Sequence, residues 1–279
     1  MFSTIPEAAR GLLGEACTIA NKSNLRYAVC GGWSPFLRNS GKIPHPGTKD
    51  VDLLFSQATE VGALREVLRA FLEAGYLPSA KHEFQLLRLL KVDKQNFVFN
   101  VDFLHPTEPG NTAPLFVDHL DITTSTGEPV FILAKGKSIS LPDSQIVFEG
   151  DLAASEELNY TTAAGEPALL TLPLLDEVGL LVTKSKSCSS SKRHRDLFDI
   201  YLAIKQARDP NALRLKLSAL KATSQGPFES LSGIRRALDP QKLTPDVKAC
   251  FQRAGTDPIT AVQEIAAFLD EMGVPLPNK

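Results

Sequence analysis

Residues 25–55, LRYAVCGGWSPFLRNSGKIPHPGTKDVDLLF, decide the fold. The first six, LRYAVC, are typical of a strand, and they run into Gly31-Gly32 and a short helical pattern, WSPFLRN. A turn-rich loop follows, and residues 50–55, DVDLLF, form a second predicted strand. Because side chains alternate along a strand, Asp50 and Asp52 point to the same face, roughly 7 Å apart.

A third acid lies further along the chain, in a segment that is otherwise apolar. Residues 84–92 and 97–104 are predicted strands joined by a short polar turn, and 97–103 is apolar on both faces apart from Asn100 and Asp102. This pattern predicts a central, well-covered strand, in which an acid is costly without compensation. If it neighbours the 50–55 strand, three carboxylates converge on one surface.

Three converging carboxylates repel one another and need a counter-charge, for which a divalent cation is usual. Oxygen ligands without His or Cys suit Mg²⁺ or Mn²⁺ rather than zinc. For the D-x-D spacing taken alone, a solvated strand face is the commoner explanation. For Asp102 the alternatives are a cap or a salt-bridge partner.

The Gly31-Gly32 pair lies between a predicted strand and a predicted helix. Glycines there allow close approach of a ligand to the backbone, and a helix N-terminus offers free N–H groups, so the pair is a candidate phosphate seat. A tight strand-to-helix turn is the plain alternative. Lys49 and Lys42, in the loop before D-x-D, are equally candidate phosphate contacts or ordinary surface lysines. His45, between two prolines, is interpreted as a plain loop residue.

Composition excludes several classes of protein. The 279 residues carry a net charge of −2, so an argument for nucleic acid must rest on a local patch. The four cysteines are far apart, which argues against a disulfide framework or a zinc knuckle. The N-terminus is unlike a signal peptide and no apolar run is long enough to span a membrane, so we expect a soluble cytoplasmic protein without membrane contact.

Apolar periodicity predicts the remaining elements. Helices are expected over 6–21 and 58–74, and edge strands over 129–133 and 145–148. After residue 167 only helices are expected: 172–186, 193–207, 210–220 and 257–273, with a weaker one near 244–252. The predicted fold class is α+β, with a mixed-sheet domain over 1–165 and a helical domain over 166–279.

The order of these features resembles the nucleotidyltransferase superfamily, the DNA polymerase β-like fold. The resemblance implies a mixed sheet with flanking helices, a nucleoside triphosphate held by Gly31 and Gly32, and Mg²⁺ held by Asp50, Asp52 and Asp102. It also implies that Asp102 helps to activate the attacking hydroxyl. The family usually has Ser or Thr directly after the second glycine, whereas here Trp33 intervenes and Ser34 is the candidate nucleotide contact. Gly-Gly-Trp looks like the antibiotic nucleotidyltransferases that modify aminoglycosides or lincosamides.

The segment LLVTKSKSCSSSKRHRDLFDIYL, residues 180–202, is the third motif. It resembles the C-terminal signature of the AbiEii-type toxin nucleotidyltransferases, the family that includes the MenT toxins. The resemblance implies that Lys184 neutralises the triphosphate, that Asp196 is a further active-site acid, and that Asp199 orients neighbours or caps. An ordinary solvated loop and helix cap is the alternative. The remaining basic residues are candidate RNA contacts: Lys186, Lys192, Arg193 and Arg195.

The sequence thus predicts a Mg²⁺- or Mn²⁺-dependent nucleotidyltransferase that uses a nucleoside triphosphate. The expected acceptor is RNA, at a tRNA 3′ end, as for a toxin of a toxin–antitoxin or phage-defence system, with an antitoxin protein as a possible partner. The alternatives are an antibiotic-modifying enzyme, a protein-AMPylating enzyme, and a catalytically silent nucleotide-binding module.

Overall fold

The computed structural model describes residues 2–23, 25–38, 41, 43–56, 61–107, 116–117, 120–123, 129–132, 136–188, 190, 193 and 195–277. The helices are α1 Ile5–Lys22, α2 Trp33–Arg38, α3 Val61–Glu73, α4 Ile146–Glu149, α5 Glu177–Lys184, α6 Asp196–Lys205, α7 Pro210–Thr223, α8 Gln225–Ser230, α9 Ser232–Arg236, α10 Pro245–Arg253 and α11 Pro258–Glu271. The strands are β1 Tyr27–Cys30, β2 Val51–Phe55, β3 Leu77–Pro78, β4 Gln85–Val92, β5 Gln95–Pro106, β6 Phe116–Val117, β7 Leu120–Thr123, β8 Pro129–Ile132, β9 Gly136–Lys137, β10 Ile139–Leu141, β11 Ala153–Thr161 and β12 Pro167–Leu175.

A mixed sheet organises the N-terminal part of the chain. Within the described residues it has eight strands in the order β11-β12-β1-β2-β5-β4-β3, with β10 pairing alongside β5. The pairs β1–β12, β2–β5 and β5–β10 are parallel, whereas β1–β2, β3–β4 and β4–β5 are antiparallel. Two short antiparallel pairs, β6–β9 and β7–β8, lie outside this sheet. The α+β prediction, with a mixed sheet and helices, is confirmed.

The chain divides into two compact units that are discontinuous in sequence. The first comprises Met1–Gly31, Thr48–Leu141 and Ser155–Leu174 and contains the sheet with α1 and α3. Its core includes aromatic side chains packed edge to face: Phe103 lies 5.4 Å from both Phe55 and Phe71, measured between ring centroids. Leu12 and Leu13 of α1 are fully buried in the same unit. This core makes the sheet a rigid support for side chains on its other face.

The second unit comprises Gly32–Gly47, Pro142–Ala154 and Leu175–Lys279, and it is helical. Several of its helices begin with a capping side chain that is followed directly by a proline, a sequence pattern typical of helix N-termini. Asp209, Thr244 and Asp257 cap α7, α10 and α11 in this way. Phe198 of α6 packs edge to face on Phe251 of α10, and both are fully buried. The helices predicted over 193–207, 210–220, 244–252 and 257–273 are confirmed.

Two predictions on secondary structure are wrong. Residues 145–148, predicted as an edge strand, overlap α4, Ile146–Glu149, in which three consecutive residues, 146–148, are buried. A strand with one covered face buries alternate residues, so this short apolar run is a helical turn. The helix predicted over 172–186 begins only at Glu177, because β12 runs to Leu175 and pairs with β1. The division of the chain at residue 165 into a mixed-sheet domain and a helical domain stays a prediction.

No helix in the described part of the chain is long and apolar enough to cross a membrane.

Candidate functional site

Asp52 and Asp102 are direct neighbours in the sheet. Asp52 of β2 and Asp102 of β5 are register partners in a parallel pair, so their side chains project from the same face. Neighbouring strands are about 4.8 Å apart, which brings the two carboxyl groups side by side. Both residues are half-buried. Of the three carboxylates expected to converge if the two strands were adjacent, Asp52 and Asp102 lie side by side.

The turn after β1 lies against the Asp52 carboxylate. Gly31 has φ +70°, a conformation that favours glycine. A Cβ at position 31 would lie 2.1 Å from Asp52 Oδ2, closer than any side chain can approach. Glycine is therefore required at position 31 for two reasons. It adopts the positive φ of the turn, and it leaves room for the Asp52 carboxylate. Gly32 follows, and its carbonyl oxygen accepts the first bond of α2, from the Phe36 amide at 3.2 Å.

Two amide side chains orient the Asp102 carboxylate. Gln85 Nε2 donates to Asp102 Oδ1 at 2.9 Å, and Asn100 Nδ2 donates to the same oxygen at 3.2 Å. Gln85 is the register partner of Asp102 on β4, and Asn100 lies two residues earlier on β5, on the same face. Neither amide was expected from the sequence to be a site residue. The N-x-D spacing of residues 100–102 is the signal for Asn100, whereas Gln85 depends on strand register.

Asp50 and Lys49 precede the strand and are exposed. The strand begins at Val51 rather than at residue 50 as predicted. Within the described residues, no group of three or more His, Cys, Asp and Glu side chains is arranged to hold a metal ion. The sheet therefore presents a pair of carboxylates, Asp52 and Asp102. Asp50 lies two residues before Asp52, just outside the strand.

The structure places Ser34 differently from the prediction. Ser34, expected to contact the nucleotide, is 2% exposed, and its hydroxyl donates to the Leu175 carbonyl oxygen at 2.7 Å. This bond joins α2 to the residue before the α5 cap, both in the second unit. Because the single hydroxyl proton is used in that bond, Ser34 offers no donor to a phosphate in this conformation.

The second unit contains a buried ionic cluster, which we call the helix cluster: Lys184, Asp196, Asp199 and His45. Lys184 Nζ donates to Asp196 Oδ1 at 2.6 Å and to Asp199 Oδ2 at 2.7 Å. The other oxygens are also occupied, because Ser187 donates to Asp196 Oδ2 at 2.6 Å and His45 Nε2 contacts Asp199 Oδ1 at 3.1 Å. Lys184, Asp196 and Asp199 are each less than 10% exposed. The sequence prediction brought Lys184 and Asp196 into one site but left His45 outside it.

Mutual electrostatics keep this cluster charged. Burial would lower the pKa of Lys184, but the charges of Asp199 and Asp196 and their hydrogen bonds raise it. Burial would raise the pKa of Asp199, but the charge of Lys184 and the hydrogen bond from His45 lower it to about 2. One cation between two anions leaves the three groups with a net charge of −1. The ammonium group has three donors, of which the two carboxylates use two.

His45 is a buried member of the cluster rather than the plain loop residue that was expected. Its side chain is 1% exposed, and its Nδ1 accepts a bond from the Gly47 amide at 3.0 Å. Because Nδ1 is an acceptor, the neutral ring carries its proton on Nε2 and donates it to Asp199. Arg195, the residue before α6, donates from Nη1 to the Gly47 carbonyl oxygen at 3.0 Å. Arg195 and Asp199 therefore each bind the loop that contains His45 and Gly47.

The candidate RNA contacts lie between α5 and α6. Lys186 is exposed and pairs with Asp143 at 2.7 Å, and Arg193 and Arg195 are exposed. Lys192 lies outside the described residues, as does Lys42. The three described cations therefore present positive charge at the surface of the second unit.

Comparison with known proteins gives similarity to two solved structures. No protein-family model and no curated protein matches the sequence. An antigenic nucleotidyltransferase-like protein from Paracoccidioides brasiliensis is 14% identical, with 83% of this chain and 94% of that chain covered and a TM-score of 0.35. The antibiotic-resistance factor ANT(2'')-Ia is 12% identical, with 79% of this chain and 99% of that chain covered and a TM-score of 0.34.

Proposed function

We propose that this protein is a nucleotidyltransferase that moves a nucleoside monophosphate from a nucleoside triphosphate to an acceptor hydroxyl, with Mg²⁺ or Mn²⁺ as cofactor. The observation that carries the proposal is Asp52 beside Asp102 on adjacent strands, with the Gly31 turn against Asp52. Two carboxylates on a rigid sheet can hold a cation in a fixed position. A glycine turn beside them lets a phosphate group approach the backbone closely.

The residues of the pair fit a hard divalent cation. Mg²⁺ is commonly bound by one or two carboxylates and completes its shell with water and substrate phosphates, so a third side chain is not required. The groups that orient Asp102 are neutral amides, which leave its negative charge in place. We propose that Asp52 and Asp102 hold the cation and that Asp50 is a further ligand. When bound, the cation supplies positive charge to the α-phosphate and the departing pyrophosphate.

The proposed reaction is a single displacement at phosphorus. The acceptor oxygen forms a bond to the α-phosphorus, the bond from that phosphorus to pyrophosphate breaks, and its electron pair leaves with pyrophosphate. Asp102 is proposed to accept the hydroxyl proton on the lone pair of Oδ2 that does not face the cation, because Oδ1 already accepts two amide bonds. Gly31, Gly32 and Lys49 are proposed to contact the triphosphate.

For the acceptor we propose RNA, at a tRNA 3′ end, with the protein acting as a toxin that has an antitoxin partner. The supporting observation is local: in a chain with a net charge of −2, Lys186, Arg193 and Arg195 are close in sequence and all exposed. Such a segment suits a phosphate backbone, and binding through it should weaken steeply as salt is added. A sugar-like antibiotic acceptor would not need these cations.

Lys184 and Asp196 have a different proposed role from that implied by the family resemblance. Lys184 is buried, and its two carboxylate partners outnumber it in charge. A net negative group does not attract a triphosphate, so we propose that these residues hold α5 to α6. The role implied by the resemblance, that Lys184 neutralises the triphosphate, stays a prediction.

The experiment is a labelling assay. Purified protein is mixed with Mg²⁺, each α-labelled nucleoside triphosphate in turn, and total tRNA. Asp52→Asn should lower transfer by at least about 100-fold, because it removes charge that the cation needs. The matched control is Asp93→Asn in the β4–β5 turn, where φ is 42° and asparagine is well tolerated. This control should keep wild-type transfer.

Each outcome identifies a different acceptor. Label on tRNA with one nucleotide supports the RNA proposal. Label on polypeptide, or on an added aminoglycoside or lincosamide, would keep the nucleotidyl transfer and replace the acceptor. Full activity in Asp52→Asn would overturn the proposed site. No transfer to any acceptor would overturn the enzymatic proposal in favour of a nucleotide-binding module.

A further inference from the structure

We infer that Gln85 and Asn100 are positioning residues, which fix the Asp102 carboxylate so that Oδ2 is the oxygen presented to the cation. The inference rests on the proposed function, since it concerns the same carboxylate pair. It adds two residues from β4 and β5 that contact neither the nucleotide nor the acceptor in the proposed reaction.

The geometry of the two amides supports this role. Both donate to Oδ1, at 2.9 and 3.2 Å, and both lie on the face of the sheet that carries Asp102. An ionised carboxylate only accepts hydrogen bonds, so each amide must present its NH₂ group rather than its carbonyl oxygen. Two donors from different directions fix the rotation of the carboxylate and leave Oδ2 for another partner.

The chemical type of these donors is also informative. A lysine or arginine in either position would orient Asp102 equally well, but it would neutralise the charge, as Lys184 does between Asp196 and Asp199. An amide orients the carboxylate without adding a formal charge. Carboxylates that ligate metals are commonly held by such partners, and removing one typically lowers metal affinity about 10- to 100-fold.

The test measures Mn²⁺ binding by isothermal titration calorimetry, which does not depend on activity. Gln85→Leu and Asn100→Ala should each weaken Mn²⁺ binding about 10- to 100-fold. The Mn²⁺ concentration needed for half-maximal transfer should rise by the same factor, and excess Mn²⁺ should restore most of the rate. The matched control is Asn96→Ala, on the same strand and face but opposite Lys91 rather than beside Asp102. Asn96→Ala should bind Mn²⁺ like the wild type.

Asp52→Asn in the same titration distinguishes failure of the proposed function from failure of the positioning role of Gln85 and Asn100. Wild-type Mn²⁺ binding by Asp52→Asn would overturn the proposed function itself. Loss of binding in Asp52→Asn, with wild-type binding in both Gln85→Leu and Asn100→Ala, would overturn the positioning role alone. Thermal unfolding confirms that each variant is folded. If Gln85→Leu does not fold, Gln85→Met, which keeps a similar size and no charge but loses the amide donor, decides together with Asn100→Ala.

Discussion

The two units each contain a pair of aspartates, and the pairs differ in what faces them. Asp196 and Asp199, three residues apart on α6, close around Lys184 at 2.6 and 2.7 Å and are buried. Asp52 and Asp102 come from neighbouring strands, are half-buried, and Asp102 accepts its hydrogen bonds from neutral amides. Both pairs consist of aspartates, but the donor to Asp196 and Asp199 is a lysine cation, whereas the donors to Asp102 are neutral amides.

This difference separates a structural pair from a pair suited to binding. A lysine built into the chain balances one of the two negative charges of the helix pair and already lies between the two carboxylates. Amides orient a carboxylate while its full charge remains available to a cation from solution. The identity of the donors is therefore a better guide to the function of an acidic pair than the number of acids.

The largest effect is expected from Lys184→Met, which removes the cation from between two buried carboxylates. Uncompensated buried charge is strongly destabilising, so the free energy of unfolding should fall by about 3–5 kcal/mol. Lys186→Met is the matched control, because the side chain of Lys186 is 54% exposed in its pair with Asp143 and should contribute at most about 1 kcal/mol. Denaturant unfolding of both variants measures the difference. Equal stabilities would show that Lys184 does not hold the helices together.

A smaller effect should appear in the pH dependence of stability. The pKa of Asp199 is lowered from 3.8 to about 2 in the folded chain. A carboxyl with a lowered folded-state pKa adds stability above its unfolded pKa and loses it as the pH falls through the folded value. The wild type should therefore lose about 2 kcal/mol of unfolding free energy between about pH 4 and pH 2 through this group.

Asp199→Asn tests this assignment, because it removes the titrating group and keeps its size. Its unfolding free energy at neutral pH should already be lower than that of the wild type, and the acid loss should be smaller. The measurement is denaturant unfolding from pH 2 to pH 6. Parallel curves for the two proteins would mean that Asp199 is not the source of the acid sensitivity.

Local sequence patterns predicted the elements that carry the sheet pair. Alternation in DVDLLF placed Asp52 on one face, and the apolar surroundings of Asp102 indicated an inner strand. The partner Gln85 could not be predicted in the same way. Its position depends on the β4–β5 register, which a two-residue turn fixes: Asp93 and Lys94, both with positive φ. The four-residue turn implied by the predicted strand ends would place Gln85 opposite Leu104 instead.

The helix cluster was only partly predictable for a related reason. The link between Lys184 and Asp196 is implied by the resemblance to the C-terminal signature of the toxin nucleotidyltransferases, and Asp199 lies about one helical turn after Asp196 on α6. His45 is more than 150 residues away from Asp199, and no periodicity connects a loop residue to a distant helix. The local sequence, a histidine between two prolines, is typical of an exposed loop, and the burial of His45 depends on tertiary contacts that local propensity does not predict.

The smallest expected effects come from separating the two hydrogen bonds of His45. His45→Gln keeps a donor near the position of Nε2 and loses the acceptor for the Gly47 amide, a neutral bond that should contribute about 1 kcal/mol. His45→Asn keeps an acceptor near Nδ1 and loses the bond to charged Asp199, which should cost about 2 kcal/mol. Unfolding of both variants measures the order. If His45→Gln were the more destabilised, the bond to Asp199 would be the weaker one, and His45 would act mainly on its own loop.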